Sequence, residues 1–153
     1  MSVKMPQNTE THGKSLKKPS PRAIGAKGER IAKRYLKQHG YKILGRNFQV
    51  YLGEIDIIAL DRENGKTVFV EVKSRKDDPE MIERFGRAAD AVNHEKISRL
   101  QNAIRAYLWK HPESNDCRGD IIEVYFPLKP SLFKKPRIVH LKQAFPPKRK
   151  HSG

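Results

Sequence analysis

The sequence predicts a single α/β domain in which a mixed β-sheet is flanked by two long helices. Residues 23–39 and 93–110 place apolar side chains at helical spacing. Strand-like segments fill residues 41–75 between these helices, and further strand-like segments follow the second helix. The chain has 153 residues, of which 37% are hydrophobic, and this composition suits one compact core with flexible ends.

The two ends of the chain differ from its middle in composition. Residues 1–22 are rich in Lys, Pro, Ser and Thr and have almost no large apolar side chain, so they are predicted to be a disordered basic tail. The folded domain is expected to span residues 23–145. Residues 146–153 are expected to form a second basic tail.

The first helix is amphipathic and leads into the first strand. Its apolar side chains cluster on one side, while Lys33, Arg34 and Lys37 lie opposite, on a face expected to be solvated. Gly40 suits the C-terminal stop of this helix. Residues 41–50 then form the first predicted strand.

A β-hairpin over residues 53–75 is the most informative part of the chain. Its two arms are almost entirely aliphatic or aromatic, but Asp56 interrupts the first arm and Glu71 the second. Asn64 and Gly65 lie between the arms and tolerate the positive φ that a tight turn needs. The hairpin therefore carries acids at positions where a buried strand should be apolar.

Two acids and a lysine are expected to converge on this hairpin. Side chains alternate across a strand, so Glu71 and Lys73 share one face, and folding of the hairpin brings Asp56 against them. A divalent cation between Asp56 and Glu71 would offset the cost of desolvating them. Mg²⁺ is the expected ion, with Mn²⁺ as a substitute, because it takes hard oxygen ligands from few carboxylates and substrate phosphate. Lys73 could then orient or help deprotonate the attacking water, as in a phosphodiester hydrolase.

An ordinary structural explanation also exists for part of this pattern. Glu71 and Lys73 could form a cross-strand ion-pair stripe on an exposed sheet face, but Asp56 within an aliphatic run favours the metal site. Glu54 could either support the site or be a solvated hairpin residue.

The hairpin carries a resemblance to known nucleases. Asp56, followed fifteen positions later by Glu71-Val72-Lys73, resembles the PD-(D/E)XK nuclease motif. The longer runs Gly-Glu-Ile-Asp-Ile-Ile-Ala and Phe-Val-Glu-Val-Lys-Ser-Arg resemble the bacterial YraN-like family and, more distantly, the archaeal Holliday junction resolvases. The match covers most of residues 23–145. It implies a restriction endonuclease-like three-layer fold and a nuclease-like site more firmly than it implies a substrate.

The same resemblance implies roles for residues outside the hairpin. In the resembling nucleases a glutamate on the first helix often completes the metal site, and Glu29 is the matching position; its alternative is an i,i+4 pair with Lys33. The resembling family also tends to have a lysine where Lys96 stands, so Lys96 is a candidate for phosphate contact. The family usually has an aromatic residue where Gly119 stands, and this departure leaves the roles of its neighbours open.

The second half of the chain completes the predicted sheet. Residues 76–90 are charged and lack periodicity, which predicts a mobile loop beside the site. Arg75 and Arg87 are predicted to contact a nucleic-acid backbone, with solvated surface charge as the alternative for Arg87. After the second helix, residues 120–126 and 137–141 read as strands, the last of them at the sheet edge.

The charge of the chain favours a polyanionic partner. The formal net charge is +15; residues 1–22 have five cations and one acid, and residues 127–153 have eight cations and no acid, so +12 of the excess lies at the ends. Such segments bind nucleic acid through counterion release. One cysteine, the absence of a membrane-spanning apolar run and the polar N-terminus lead us to expect a cytoplasmic protein with no membrane partner.

These observations lead to two functional hypotheses. The first is a Mg²⁺-dependent, structure-selective DNA endonuclease acting on branched DNA, with Asp56, Glu71, Lys73 and Glu29 in the site. The preference for branches rests on analogy with resolvases, which work as dimers, so a homodimer is compatible with this hypothesis. The alternative is a non-catalytic nucleic-acid-binding module that retains the nuclease fold.

Overall fold

A computed structural model describes residues 17–148 of the chain. The predictions made for residues 1–16 and 149–153 lie outside the described residues. The order of elements is α1 (Pro21–Gln38), β1 (Tyr41–Val50), β2 (Gly53–Asp61), β3 (Thr67–Lys76), α2 (Pro79–Phe85), a 3₁₀ turn (Ala88–Ala91), α3 (His94–Lys110), a second 3₁₀ turn (Pro112–Ser114), β4 (Cys117–Phe126) and β5 (Arg137–Phe145).

The five strands form one mixed sheet in the order β1-β2-β3-β4-β5. β3 and β4 run parallel, with α3 in the connection between them, and the other neighbouring pairs run antiparallel. The predicted hairpin is therefore present as β2 and β3, and β5 lies at an edge, as predicted.

Two hydrophobic cores lie on opposite faces of the sheet. Val70 and Val72 pack on the core that contains Leu36 of α1, whereas Phe69 packs on the core that contains Leu100 of α3. The alternation predicted for β3 is confirmed, because its odd and even residues face different helices. The result is a three-layer arrangement of helix, mixed sheet and helix, and the predicted α/β fold class is confirmed.

Helix α1 begins earlier than the sequence predicted. Ser20 caps it by accepting a hydrogen bond from the backbone N–H of Ala23 at 3.2 Å, and Pro21 occupies the first turn. Gly28 brings the helix backbone against β3, since a Cβ at this position would lie 1.8 Å from Oγ of Ser74. This close approach places the following residue, Glu29, at the end of the sheet where β3 carries its polar residues.

The mobile loop predicted at residues 76–90 is wrong as a loop, because the segment contains α2 and the start of the 3₁₀ turn, whereas its mobility stays a prediction. Asp78 caps α2 by accepting from the backbone N–H of Glu80 at 3.1 Å, and Pro79 starts the helix. Helical periodicity cannot be read in so short a segment, but the cap and the proline were visible signals.

Strands β4 and β5 are both longer than predicted, and they explain how the chain accommodates Gly119. A Cβ at Gly119 would lie 2.4 Å from the Phe145 ring and 2.6 Å from the Phe145 carbonyl oxygen. The ring of Phe145 thus covers the position where the resembling family usually has an aromatic side chain.

A buried polar network fixes the sheet at its end opposite the polar half of β3. Arg118 donates hydrogen bonds to Asp61 at 2.8 Å, to Asp120 at 3.0 Å and to the Tyr41 hydroxyl at 2.9 Å. Burial raises the pKa values of Asp61 and Asp120, but the bonds from Arg118, and for Asp120 also the contact with His140, bring both below their usual range. This network is saturated and has a structural role.

None of the helices in residues 17–148 is long and apolar enough to span a membrane.

Candidate active site

Asp56 lies where β2 and β3 stop pairing. The last paired rung is Ile57 opposite Val70. Beyond it, Oδ2 of Asp56 accepts the backbone N–H of Val72 at 2.8 Å and so replaces a main-chain acceptor. Burial raises the pKa of Asp56, and the Val72 N–H partly offsets this effect. The carboxyl group is thereby fixed against β3, at the point predicted from the hairpin.

Glu71 is a buried acid with two different oxygens. Its side chain is 2% exposed, and Oε1 lies 3.3 Å from Nζ of Lys73 and 3.3 Å from Nζ of Lys96. Oε2 is buried and has no hydrogen-bond partner among the described residues. Burial first, and then the nearby Asp56 carboxylate, raise the pKa of Glu71 to about 7.

Lys96 joins the second helix to the hairpin. Asn93 caps α3 by accepting the backbone N–H of Lys96 at 3.0 Å, which fixes the first turn of the helix beside β2. Nζ of Lys96 then contacts Glu54 at 2.9 Å as well as Glu71. Gly53 permits this approach, since a Cβ there would lie 1.9 Å from the carbonyl oxygen of Arg99.

Glu54 is thus a partner of Lys96 and is only partly solvated. The hydrogen bond and the charge of Lys96 hold the pKa of Glu54 below its usual range. Burial lowers the pKa of Lys96, but Glu71 and Glu54 together raise it above its usual value, so Lys96 is a cation inside the site. Sequence reasoning named both residues but could not pair them.

Glu29 is brought to the same site from α1. Burial raises its pKa, and the charges of Asp56 and Glu54 raise it further, so the three acids are close enough to repel one another. No ion pair joins Glu29 to Lys33 in residues 17–148. The structure therefore places Glu29 near Asp56 and Glu54.

Arg75 and Arg87 are both engaged within the protein. Arg75 donates to the carbonyl oxygen of Gly86 at 3.2 Å, which holds the end of α2. Arg87 pairs with Glu123 at 2.8 Å, and Glu123 also accepts the backbone N–H of Ala89 at 2.9 Å. Their predicted contact with nucleic acid stays a prediction, but each has a structural partner that the sequence did not reveal.

Glu123 lies beside the candidate site, next to Lys73, and sequence reasoning missed it. It is fully buried on β4, and its main-chain neighbour across the parallel pair is Lys73. Its signal was the same as that of Asp56, namely an acid inside an otherwise apolar strand. Its hydrogen bonds to the segment after α2 explain its burial without a metal.

The acids fit a hard divalent cation that needs few protein ligands. In the part of the chain that the structure describes, no group of three or more His, Cys, Asp or Glu side chains forms a metal cage. What is present among these residues is a buried carboxyl group, Glu71, beside the partly buried carboxyl group of Asp56, and the Oε2 atom of Glu71 has no hydrogen-bond partner. Mg²⁺ and Mn²⁺ suit such a pair, because Mg²⁺ keeps several waters and both prefer oxygen ligands.

Comparison with known proteins identifies relatives along most of the chain. Residues 28–124 match the model of the uncharacterised protein family UPF0102. A UPF0102 protein from Caldanaerobacter subterraneus is 37% identical over 131 residues, covering 85% of this chain and 100% of its own. One from Alkaliphilus oremlandii is 40% identical over 125 residues, covering 80% of this chain and 97% of its own.

Two solved structures show a weaker likeness. A repair endonuclease from Pyrococcus abyssi aligns with a TM-score of 0.38 and 16% identity over 71% of this chain and 40% of that one. A complex of EndoMS with double-stranded DNA aligns with a TM-score of 0.34 and 16% identity over 58% of this chain and 32% of that one. This chain spans less than half the length of either.

Proposed function

The chain belongs to the UPF0102 family, the YraN-like proteins that its sequence resembles, and on that premise we propose that it is a metal-dependent DNA endonuclease. The observation that carries the proposal is the buried Glu71 beside the partly buried Asp56, with Nζ of Lys73 at 3.3 Å from Glu71. Burying two neighbouring acids is costly unless a cation shares them. A metal-dependent phosphodiester hydrolase uses such a cation, and a positioned lysine can orient the attacking water.

Asp56 and Glu71 would hold Mg²⁺ or Mn²⁺ in this proposal. When bound, the ion supplies charge stabilisation for the phosphoryl transition state and makes water a better nucleophile. The hydrogen bond from the Val72 N–H fixes one Asp56 oxygen. The two lysines on Oε1 of Glu71 favour its ionised form, and Oε2 has no hydrogen-bond partner among the described residues.

Lys73 and Lys96 would have different roles around Glu71. Lys73 is 30% exposed, so its ammonium can reach a water molecule or a phosphate oxygen from solvent and orient the attack. Lys96 is 18% exposed and is held by two acids, so it positions Glu71 and Glu54 and does not reach outward. Glu29 would support the site from α1.

The substrate in this proposal is branched DNA. The described residues form no separate module for reading a base sequence, so selection by DNA shape is preferred to a defined sequence. A homodimer would allow two strands to be cut at one branch, as in the resolvases that the sequence resembles.

Cleavage assays on branched and duplex DNA with Mg²⁺ or Mn²⁺ test the proposal. Asp56→Asn keeps an oxygen for the Val72 N–H, and Lys73→Met keeps the length of the side chain, so both variants should fold. We expect each to lose at least about a hundredfold in cleavage rate, the size of effect seen when a charge-stabilising group is removed. Matched controls are Glu63→Gln and Lys76→Met, which change exposed residues of the same hairpin.

The outcomes separate the two functional hypotheses. Metal binding is measured alongside by titration calorimetry, where Asp56→Asn should bind Mg²⁺ more weakly than wild type. Tight DNA binding with no cutting under either metal would favour the non-catalytic module. Cutting that survives both Asp56→Asn and Lys73→Met would indicate a contaminating nuclease.

A further inference from the structure

A basic cleft lies between α1 and β1, outside the acidic site. The cleft is lined by five cations, with Tyr41 and Ile43 between them: Lys33, Lys37, Lys42, Arg46 and Arg62. None of the five cations forms an ion pair with an acid in residues 17–148. We call this surface the α1–β1 cleft. The sequence had assigned its helical lysines to a solvated face.

One wall of the cleft leads directly away from the acidic site. Glu29, Lys33 and Lys37 are spaced at i, i+4 and i+8 on α1, so they form one stripe along the helix. Glu29 is the single acid in α1 and lies at the site end of the stripe. The two lysines continue the stripe from the site toward the C-terminal end of the helix.

The other wall returns to the site along β1. Lys42 pairs with Leu60 at the far end of β2, whereas Arg46 pairs with Ile57, the neighbour of Asp56. Arg46 belongs to β1 but also lies near α1, since its charge acts on Glu29 and on Lys33. The cleft therefore opens at the candidate site and extends away from it.

The convergence of these cations is unfavourable in the isolated protein. The pKa of Lys33 is lowered, first by the charge of Arg46, then by partial desolvation and by Lys37. A solvated helix face normally mixes charges of both signs, which this cleft does not. A polyanion in the cleft would convert the mutual repulsion into attraction.

We propose that the α1–β1 cleft binds the phosphate backbone of the nucleic-acid strand that enters the acidic site. Lys42 lies opposite Leu60 and Arg46 opposite Ile57, so the bulge between Ile43 and Gly45 reduces this step to three rungs, about 10 Å of strand. One strand of duplex DNA has a phosphate about every 3.4 Å along its axis. The cleft is thus long enough to contact more than one consecutive phosphate of a strand. That the bound nucleic-acid strand leads into the acidic site rests on the proposed function, whereas binding of its phosphate backbone in the cleft does not.

Binding without metal tests this proposal independently of cleavage. The variant is Lys33→Gln, Lys37→Gln and Lys42→Gln combined in the full chain. Its matched control combines Lys76→Gln, Arg105→Gln and Lys110→Gln, three exposed cations outside the cleft and outside the basic segment 127–153, and removes the same total charge. Both are titrated with a fluorescent 30-base-pair duplex in EDTA at several salt concentrations, after circular dichroism has confirmed folding.

We expect the cleft variant to bind more weakly by about tenfold or more and to have a shallower salt dependence. Each lost phosphate contact makes the slope of log K against log salt shallower by about 0.9, so the loss of three contacts should make it shallower by roughly 2.7. The control variant should keep the wild-type slope to within about one contact.

The failure of this proposal and the failure of the nuclease proposal give different results. Equal weakening of the cleft and control variants, or no duplex binding by wild type, would overturn the cleft. Cleavage by wild type that is unchanged in the cleft variant would also overturn it while leaving the nuclease intact. Selective loss of binding in the cleft variant, without cleavage by any protein, would support the cleft and count against the nuclease.

Discussion

Replacing Glu71 with glutamine should make the metal-free protein more stable at alkaline pH. Gln is close to the protonated form of Glu in shape, but it has no charge to desolvate. Glu71 is 2% exposed, and its pKa is raised from 4.5 to about 7 by burial and by Asp56. Because the folded state prefers the protonated form, its ionisation opposes folding.

The sign and the size of the change in stability follow from the difference between the pKa of Glu71 in the folded protein and its pKa in the unfolded chain. The contribution of Glu71 is most favourable below its unfolded pKa of about 4.5 and is lost as the pH rises through 7. A shift of one pKa unit corresponds to 1.36 kcal/mol, so the whole loss is about 3 kcal/mol. From pH 5 to pH 8.5 the wild type should lose roughly 2 to 3 kcal/mol relative to Glu71→Gln.

Urea unfolding followed by circular dichroism at pH 5 and pH 8.5, in EDTA, measures the effect. Acids such as Asp61 and Asp120, whose pKa values are lowered, lose stability toward acid pH in both proteins, so their contribution cancels in the comparison. Glu63→Gln, at an exposed turn position, should follow the wild type. Addition of Mg²⁺ at pH 8.5 should stabilise wild type, by about 2.7 kcal/mol at a hundred times the dissociation constant, and Glu71→Gln much less.

Parallel pH profiles for wild type and Glu71→Gln would refute this reasoning. Such a result would mean that Glu71 does not ionise at a cost in the folded protein. Equal stabilisation of both by Mg²⁺ would place the metal elsewhere.

Three further predictions concern other parts of the protein. Arg118→Met leaves two buried aspartates without their arginine partner and should lower the free energy of unfolding by about 3 to 5 kcal/mol at pH 7 in a urea titration; a loss below 1 kcal/mol would contradict the proposed network. Gly119→Ala forces a Cβ against Phe145 and should cost about 1 to 3 kcal/mol in the same assay, whereas a stability equal to wild type would mean that β5 moves freely. Lys96→Met removes a charge that lowers the pKa of Glu71, so the pH at which Mg²⁺ binding is half-maximal should rise in calorimetry, and an unchanged midpoint would argue against this role.

The hairpin could be predicted from sequence because its information is local. Strand alternation determines that Glu71 and Lys73 share a face, and the turn at Gly65 determines which half of β2 meets them. Asp56 stands out because a carboxylate in an aliphatic run requires a partner. These rules need only neighbouring residues, and the structure agrees with them.

Contacts between distant segments could not be predicted in the same way. The pair Lys96–Glu54 depends on the packing of α3 against Gly53, and the pair Arg87–Glu123 depends on where the segment after α2 turns back. No periodicity in either segment encodes those distances. The α1–β1 cleft was missed for the same reason, since its lysines come from two elements that each appeared to have an ordinary solvated face.

The pKa values of the buried acids bear on whether the candidate site is catalytic or belongs to a binding module that has lost catalysis. Asp61 and Asp120 are buried, but Arg118 neutralises them, and their pKa values are low. Glu71 is buried beside a second acid, two lysines contact only one of its oxygens, and its pKa is raised. The protein therefore neutralises Asp61 and Asp120 with an arginine, but it does not neutralise Glu71 to the same degree. A binding module would be more stable with an apolar residue in place of Glu71, so an acid that two lysines compensate only in part favours the cation site proposed above.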